Sequence, residues 1–216
     1  MKILGIIVCR KDSRRLPDKT WKSFQGKSLL ENKISQLSQV PSLDGLVVGS
    51  NCKRVSKFCK DNNVNFVPRE DYYCDETKCT ANEMIKDMLS KVDCDVILWA
   101  HLTNPFITAE HYEEAIQLYK SQKKDSVFSV SEIKTHLWNS QQQPINHDPW
   151  STNHTVAADL EPYYKQNGGI FIRSKIDMEA DGRFIGDNPY MYVMSEQAGW
   201  DIDEQWQLDF AQGHNE

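Results

Sequence analysis

Six short apolar runs recur along the chain: KILGIIV (2–8), GLVVGS (45–50), VNFV (64–67), DVILWA (95–100), SVFSV (126–130) and GGIFI (168–172). Strands buried on both faces read as such runs, without the alternation of a half-exposed strand. Between the first four lie stretches with helical spacing. In SLLENKISQLSQV, Leu29, Leu30, Ile34 and Leu37 fall on one stripe, and ANEMIKDMLSKV and AEHYEEAIQLYKSQ are patterned similarly. Strands alternating with amphipathic helices predict an α/β fold with a largely parallel sheet. From about 131 to 166 the pattern dissolves into polar and aromatic sequence with three prolines. This segment is expected to leave the sheet and cover either a site or a partner subunit.

With 216 residues, 39% of them hydrophobic, the chain can bury one sizeable core, and no break in composition suggests a second. A single domain over 1–216 is expected. No apolar run approaches the ~18 residues of a membrane span, and the N-terminus lacks a signal-peptide pattern, so a soluble cytoplasmic protein is expected. Six cysteines lie scattered without paired C-x-x-C spacing, which favours ordinary thiols over a disulfide scaffold or a zinc knuckle. A net charge of −6 argues against general nucleic-acid binding.

Against that acidic background, CRKDSRRLPDKT (9–20) packs five cations directly after the first apolar run. In an open parallel sheet, ligands sit beyond the carboxyl ends of the strands, where this loop would emerge. Arginine forks match phosphate oxygens and lysine adds a point charge, so Arg10, Arg14, Arg15 and Lys19 suit a triphosphate. Charge alone fits a solvated basic turn equally well. Pro17 and the preceding strand favour a shaped site. No G-x-x-x-x-G-K-[ST] is present, so this is not a P-loop.

The stretch IIVCRKDSRRLPDKTWKSFQGKSLLENKI resembles the opening of the sugar-acid cytidylyltransferases, acylneuraminate cytidylyltransferase above all. Arg10, Ser13, Arg14, Arg15, Pro17, Lys19 and Thr20 fill the family pattern A-R-x-x-S-[KR]-R-x-P-x-K-[NT], with Cys9 in place of alanine. The resemblance continues through REDYYCDETKCTANEMI (69–85), ILWAHLTNPFITAEHYEEAI (97–116), DLEPYYKQNGGIFI (159–172) and GWDIDEQWQLDFAQ (199–212). It implies a Rossmann-like nucleotidyltransferase fold that joins CMP from CTP to a nonulosonate-type sugar acid, and a homodimer. By the same resemblance Arg69, Asp75 and Thr77, with Thr80 near them, belong to the base and ribose wall, although Thr80 serves equally as a helix N-cap. His101, Thr103, Asn104, Asn167 and Gly168 fall on the sugar or nucleotide side, with the Gly168-Gly169 pair allowing close backbone approach or simply a turn.

In DID, Asp201 and Asp203 stand two apart, so on an extended segment both carboxylates face one way. Two hard oxygen ligands suit Mg²⁺, which takes its other ligands from water and substrate phosphates. As a lone signal the pair also fits an exposed strand end. Beside a phosphate loop it has a task, since nucleotidyl transfer needs the triphosphate charge offset. Arg10, Lys19 and Asp203 are therefore the expected catalytic residues; no general base is identifiable. Trp206 and Phe210 are expected in the core of a closing helix. His136, His147 and His154 are irregularly spaced, which is poor support for a metal site. Trp138, Trp150, Tyr163 and Tyr164 are expected to form a dimer contact or to roof the sugar pocket.

Several positions depart from the family pattern on the sugar side: His101-Leu102, Asn104, Ile107, and Val156-Ala157-Ala158 where Arg-Gln is frequent. The acceptor is then expected to differ from N-acetylneuraminate, with Lys165 or Arg173 supplying the charge that binds its carboxylate. Two alternatives stay open: a nucleotidyltransferase for a different sugar, and an inactive nucleotide-binding regulatory protein.

Overall fold

All six apolar runs are strands in the computed structural model, which describes residues 1–213. The last three residues of the expected 1–216 unit lie outside the described residues. In chain order the elements are β1 (Ile3–Val8), β2 (Ser23–Phe24), β3 (Lys27–Ser28), α1 (Leu29–Leu37), β4 (Gly45–Ser50), α2 (Lys53–Asp61), β5 (Asn65–Pro68), α3 (Asp71–Cys74) and α4 (Ala81–Leu89). They continue with β6 (Val96–Ala100), α5 (Ala109–Ser121), β7 (Ser126–Ile133), β8 (Tyr163–Ser174), α6 (Lys175–Asp181), β9 (Pro189–Met194) and α7 (Gln205–Gly213).

Seven strands form one sheet in the order β5-β4-β1-β6-β8-β7-β9, and β2 pairs with β3 in a small hairpin. Strands β5, β4, β1 and β6 are parallel, and β9 is parallel to β7. Only β8, which contains the GGIFI run, runs against both of its neighbours. The sheet is thus mostly parallel, as the alternation of runs and helices implies.

Both faces of the sheet are covered. Ile3 and Ile7 of β1 pack into one core with Leu98, Ile170 and Ile172, while Leu4 and Ile6 enter the opposite core with Ile97, Trp99 and Phe171. This two-sided burial is why the strands read as unbroken apolar runs. The helices start where their caps dictate. Ser28 and Thr80 each accept from the backbone three residues on, and Glu31 and Glu83 reach back to close capping boxes on α1 and α4.

From β1 the chain crosses to β4 and β5 on one side, then returns to β6 on the other, so the topological switch point lies between β1 and β6. The loops leaving their carboxyl ends, 9–22 and 101–108, therefore border the crevice where this architecture receives ligands.

The expected excursion over 131–166 is shorter than its sequence pattern suggests. Residues 130–133 of β7 pair with 163–166 of β8, so the sheet extends into both ends and the excursion proper runs from 134 to 162. Strand β9 carries no clear signal in the sequence because apolar Met191 and Val193 face solvent between inward Tyr192 and Met194. Helix α6 is likewise short and polar enough to escape a periodicity reading.

Between Phe128 and Val130 of β7 the register jumps from Phe171 to Gln166, so β8 bulges at Asn167–Ile170. The bulge is pressed against the 101–108 loop: a Cβ at Gly169 would overlap Cδ1 of Ile107. Gly169→Ala is expected to cost about 1–3 kcal/mol through overpacking. Thermal denaturation should register this as a fall in Tm of roughly 2–4 °C per kcal/mol.

Candidate active site

The basic loop is anchored rather than solvated, because Leu16 (1% exposed) and Thr20 (6% exposed) bury its middle and end in the core. Its cations divide into two sets. Arg10 reaches Glu76 at 3.0 Å and Arg14 reaches Asp75 at 3.5 Å, toward the segment between α3 and α4. Arg15 and Lys19 both reach Asp203 at 2.8 Å, across most of the chain length. Ser13 is half-buried in the same loop.

A cavity of about 470 Å³ opens beside the first set, lined by Val8, Arg10, Arg69, Tyr73, Glu76 and Thr80 among others. Arg69 is buried and lies against Gly49 of β4. It donates to the Tyr73 carbonyl at 2.5 Å, while its Nε has no partner. A larger groove of about 700 Å³ along α5 is bounded by Glu110, Glu113, Glu114 and Tyr192 and has no cation on its wall, which makes it unsuited to a polyphosphate.

Hydrogen bonds from Arg10 hold Glu76 below the usual carboxylate range. Asp75 is lowered to about 2, chiefly by the hydroxyl and amide of Thr77. Thr77 thus serves the turn that presents Asp75, with Oγ1 at 2.6 Å from it, and its side chain does not line the cavity. Thr80 caps α4, as expected of one of its two readings, and it also lines the cavity. Glu76 was not anticipated from the sequence, since a single exposed glutamate in a polar stretch carries no signal until Arg10 is seen beside it.

The DID pair lies on irregular backbone just before α7, not on a strand. Ile202 between the aspartates is fully buried while both aspartates are partly exposed, so the carboxylates share the outward side. Burial, with the neighbouring Asp203 charge, raises the Asp201 pKa. Its Oδ1 is buried without a hydrogen-bond partner. A buried carboxylate oxygen without a partner, next to a like charge, fits a divalent cation that completes its coordination with waters and phosphate. Among the described residues, no group of three or more His, Cys, Asp or Glu is arranged to hold a metal ion. Two carboxylates plus substrate oxygens need no such group.

On the β6 side, His101 packs edge-on against Phe171 and Phe184, and its pKa is lowered to about 4, first by burial and then by Lys33. Gly168 has φ +74°, and a Cβ there would touch Nδ1 of His101 at 3.4 Å. Thr103 lies beside Asp201, where its hydroxyl favours the ionised carboxylate.

Two expected substrate contacts are corrected by burial. Asn104 is 0% exposed, and its Nδ2 donates to the carbonyls of Asn167, Gly199 and Trp200. Asn167 is also buried, accepting from Ser129 Oγ and Gly169 N and donating to Ser131 Oγ. Through these bonds both side chains hold the β8 bulge and the 199–200 segment, and neither is exposed on the surface; Asn104 Oδ1 is buried without a partner. Their polar character is explained by the irregular backbone around them: Asn104 supplies a donor to buried carbonyls, and Asn167 supplies an acceptor to the Gly169 amide.

Arg173 is likewise removed from the sugar side. It pairs in register with Ile97 near the start of β6 and forms a bidentate ion pair with Asp181. Lys165 lies beyond the bulge, exposed, opposite Ser131. Trp206 and Phe210 are 58% and 48% exposed, not core as expected; they flank Trp200 instead. The excursion gathers His136, His147 and His154 into one cluster, His147 edge-on to His136 at 4.6 Å between ring centroids and His154 stacked on it at 5.1 Å.

A family model described as Cytidylyltransferase matches residues 4–207. The N-acylneuraminate cytidylyltransferase of Streptococcus agalactiae serotype V is 26% identical over 223 residues, covering 99% of this chain and 53% of that protein. The CMP-N,N'-diacetyllegionaminic acid synthase of Legionella pneumophila is 30% identical over 185 residues, 80% of this chain and 78% of that one. Among solved structures, a CMP:2-keto-3-deoxy-manno-octonic acid synthetase complexed with CTP aligns with a TM-score of 0.70 at 15% identity, over 99% of this chain and 98% of that one. The likeness to that structure concerns the fold. The chain spans about half the length of the streptococcal relative.

The depressed pKa of His101 has a signed consequence. Its folded value, about 4, lies below the ordinary 6.5, so below pH ~6.5 the unfolded chain takes up a proton that the folded chain refuses. Stability should fall as pH drops from 6.5 toward 4, by up to about 3 kcal/mol from this group. Denaturant titrations of the wild type and His101→Gln at pH 7 and pH 4.5 test this. The variant should lose less stability on acidification.

Proposed function

The chain belongs to the cytidylyltransferase family, and we propose that it joins CMP from CTP to a nonulosonate-type sugar acid, with release of pyrophosphate. The observation that carries the reading is the meeting of Arg15 and Lys19 with Asp203, beside the partnerless buried oxygen of Asp201. Cations from the loop after β1 and carboxylates from before α7 converge on the crevice end of the sheet.

In this reading the cytosine and ribose enter the cavity between Arg10, Arg69 and Thr80. The polyphosphate runs along Arg14, Arg15 and Lys19. A triphosphate there has to share Arg15 and Lys19 with Asp203, and the two anions repel. Mg²⁺ held by Asp201 and Asp203 would relieve that repulsion and offset the charge that develops at the phosphates during transfer. The sugar hydroxyl attacks the α-phosphorus in line, with Thr103 and His101 bordering the acceptor side. Neutral His101 orients polar groups without adding charge.

A nucleotide-binding regulatory protein of the same fold is the competing reading from another class. The buried, unpartnered Oδ1 of Asp201, on a carboxyl whose pKa burial raises, argues against it, because binding alone gives no reason to keep a carboxylate so poorly placed at that point. A nucleotidyltransferase for a different sugar remains an outcome of the substrate test below.

We extend the reading to a homodimer. Trp138, Ile145, Trp150, Val156, Tyr163 and Tyr164 are 40–76% exposed on the excursion and its flanking strand ends, an apolar surface that suits a second copy. No helix among the described residues is long and apolar enough to cross a membrane. All six cysteines are free thiols, which suits a reducing cytoplasmic setting. The product would serve as an activated donor in polysaccharide synthesis.

Pyrophosphate release, measured across nucleotides and acceptors, tests the assignment. CTP with a sugar acid should give turnover and other nucleotides much less. Among N-acetylneuraminate, a shorter ulosonate and a di-N-acetylated deoxy nonulosonate, the highest kcat/KM is expected on an acid other than N-acetylneuraminate, with Lys165→Ala raising the KM for that acid. Highest kcat/KM on N-acetylneuraminate would mean that the sugar-side substitutions carry no specificity.

Two substitutions probe the nucleotide side. Arg10→Ala and Lys19→Ala should each weaken CTP binding by about 1.5–3 kcal/mol in calorimetry, the scale of a hydrogen bond to a charged group. Asp203→Asn should lower kcat by on the order of 10²-fold or more while circular dichroism stays unchanged. Full activity of that variant at limiting Mg²⁺ would remove the metal role.

A further inference from the structure

Lys33, on the buried face of α1, is fully buried and has no carboxylate partner. Its Nζ donates to the Asn104 carbonyl at 2.8 Å and lies 2.7 Å from the Tyr112 hydroxyl of α5. Burial pushes its pKa well below the ordinary lysine value and that of Tyr112 well above the ordinary tyrosine value. Burial thus disfavours the charged form of each group, and the amine donates to both the Asn104 carbonyl and the Tyr112 hydroxyl. A lysine is almost never fully buried unless it is paired. A methionine would fill the same space at lower cost, so packing alone does not account for an amine here.

The recipient of that hydrogen bond is what gives it meaning. Asn32 and Gln36, one position before and three after on the same helix, both donate to the next carbonyl, that of Pro105, at 3.0 and 2.7 Å. Three side chains of α1 thus grip two successive carbonyls in the loop that follows β6. The gripped loop in turn holds the carboxylate segment from both sides of Asp201. Asn104 Nδ2 donates to the Gly199 and Trp200 carbonyls, and Ile202 N donates to the Thr103 carbonyl at 2.8 Å.

We propose that Lys33 is a positioning residue: through the Asn104 carbonyl it fixes the 103–105 backbone, and through that backbone the placement of Asp201 for metal binding and transfer. The proposal rests on the cytidylyltransferase reading above. Lys33 itself touches neither nucleotide nor acceptor. A shift of the 103–104 backbone moves both hydrogen bonds that bracket Asp201, while the Arg10 and Arg69 cavity, built from other loops, stays in place.

Lys33→Met removes the amine and keeps the volume. Titration with Mn²⁺, followed by electron paramagnetic resonance, should show metal affinity about tenfold weaker than in the wild type, the lower end of what loss of a supporting contact costs a metal site. CTP affinity measured without metal should stay within about twofold, since Lys33 touches no nucleotide-side group. Steady-state kinetics should show kcat about tenfold lower with the KM for CTP nearly unchanged, because a sub-ångström misplacement acts on the chemical step. Unchanged Mn²⁺ affinity and kcat would overturn the proposal and leave Lys33 as an unusual core filler. Parallel loss of CTP and metal binding would overturn it as well, since that is the mark of general loosening.

Should Lys33→Met fail to fold, the double variant Asn32→Ala/Gln36→Ala releases the same loop from the half-buried side. It should weaken Mn²⁺ binding in the same direction and less strongly; wild-type affinity there would count against the proposal. Failure of the enzyme reading is separable. A wild type that releases no pyrophosphate from CTP with any sugar acid sinks that reading, while the Mn²⁺ comparison between wild type and variant still decides whether Lys33 positions the carboxylates.

Discussion

The site depends on a problem of backbone satisfaction at the end of β6. There the chain leaves the sheet at a fully buried position, and the carbonyls of irregular segments 103–105, 167 and 199–200 converge with no ladder to receive them. Asn104 answers with one amide donating to three of those carbonyls. Unsatisfied buried polar groups cost ~1–3 kcal/mol each, so these segments are locked in one arrangement. The glycines complete the fit: a Cβ at Gly199 would overlap Ser131 Oγ, and one at Gly169 would overlap Ile107. Loops that look free in sequence are thus rigid where they carry Thr103 and Asp201.

Onto this frame the charges are distributed unevenly. Arg10 and Arg14 face Glu76 and Asp75, all on loops with solvent access, where ion pairs contribute little to stability and exchange readily with a ligand. Lys19 and Asp203 are more enclosed, with side chains 14% and 24% exposed, and hold the basic loop to the carboxylate segment. Asp201 alone lacks a cation of its own. Burial and the Asp203 charge outweigh the help it receives from the Thr103 hydroxyl, Lys19 and Arg15, and its Oδ1 is buried without a partner. In an enzyme, such a residue is stabilised by what binds there.

Much of this was legible in the sequence, and the reason differs by element. Two-sided burial writes itself as apolar runs, so six strands could be read directly. The basic loop stood out as cations concentrated against an acidic background and DID as a spaced carboxylate pair, and the structure brings Arg15 and Lys19 of the one against Asp203 of the other. The same chemistry in isolation misleads, however. Asn104 and Asn167 look like ligand contacts because both stand near strand ends on the ligand side, yet Asn104 meets buried carbonyls and Asn167 meets two serine hydroxyls and a backbone amide, partners that no residue pattern reveals. Lys33 sits among the apolar stripe of α1 and reads as an ordinary surface lysine. Nothing local indicates that Asn104 and Tyr112, 71 and 79 residues away, await its amine. Trp206 and Phe210 read as core because large aromatics usually are; here Leu208 and Ala211 are the buried residues of α7, and the two aromatics pack outside against half-buried Trp200.

Strand β8 shows how topology decides between residues that sequence leaves equivalent. Lys165 and Arg173 flank the same Asn-Gly-Gly turn and both look able to meet an acceptor carboxylate. Their partners on β7, Ser126 and Ser131, are five residues apart, so across the bulge the two cations stand roughly 17 Å apart along the sheet. Because β8 is antiparallel to β6, its later residues run back toward the start of β6, and Arg173 meets Ile97 there while Ile170 meets Ala100 at the crevice end. Arg173 is further consumed by its bidentate pair with Asp181, which that carboxylate would have to lose before any ligand could gain. Lys165 follows the opposite logic: it lies on the crevice side of the bulge and is exposed. A lysine there can meet a carboxylate as a flexible point charge, without the fixed fork of an arginine. An acceptor site built this way should tolerate more variation in the sugar around the carboxylate than one organised by a bidentate arginine.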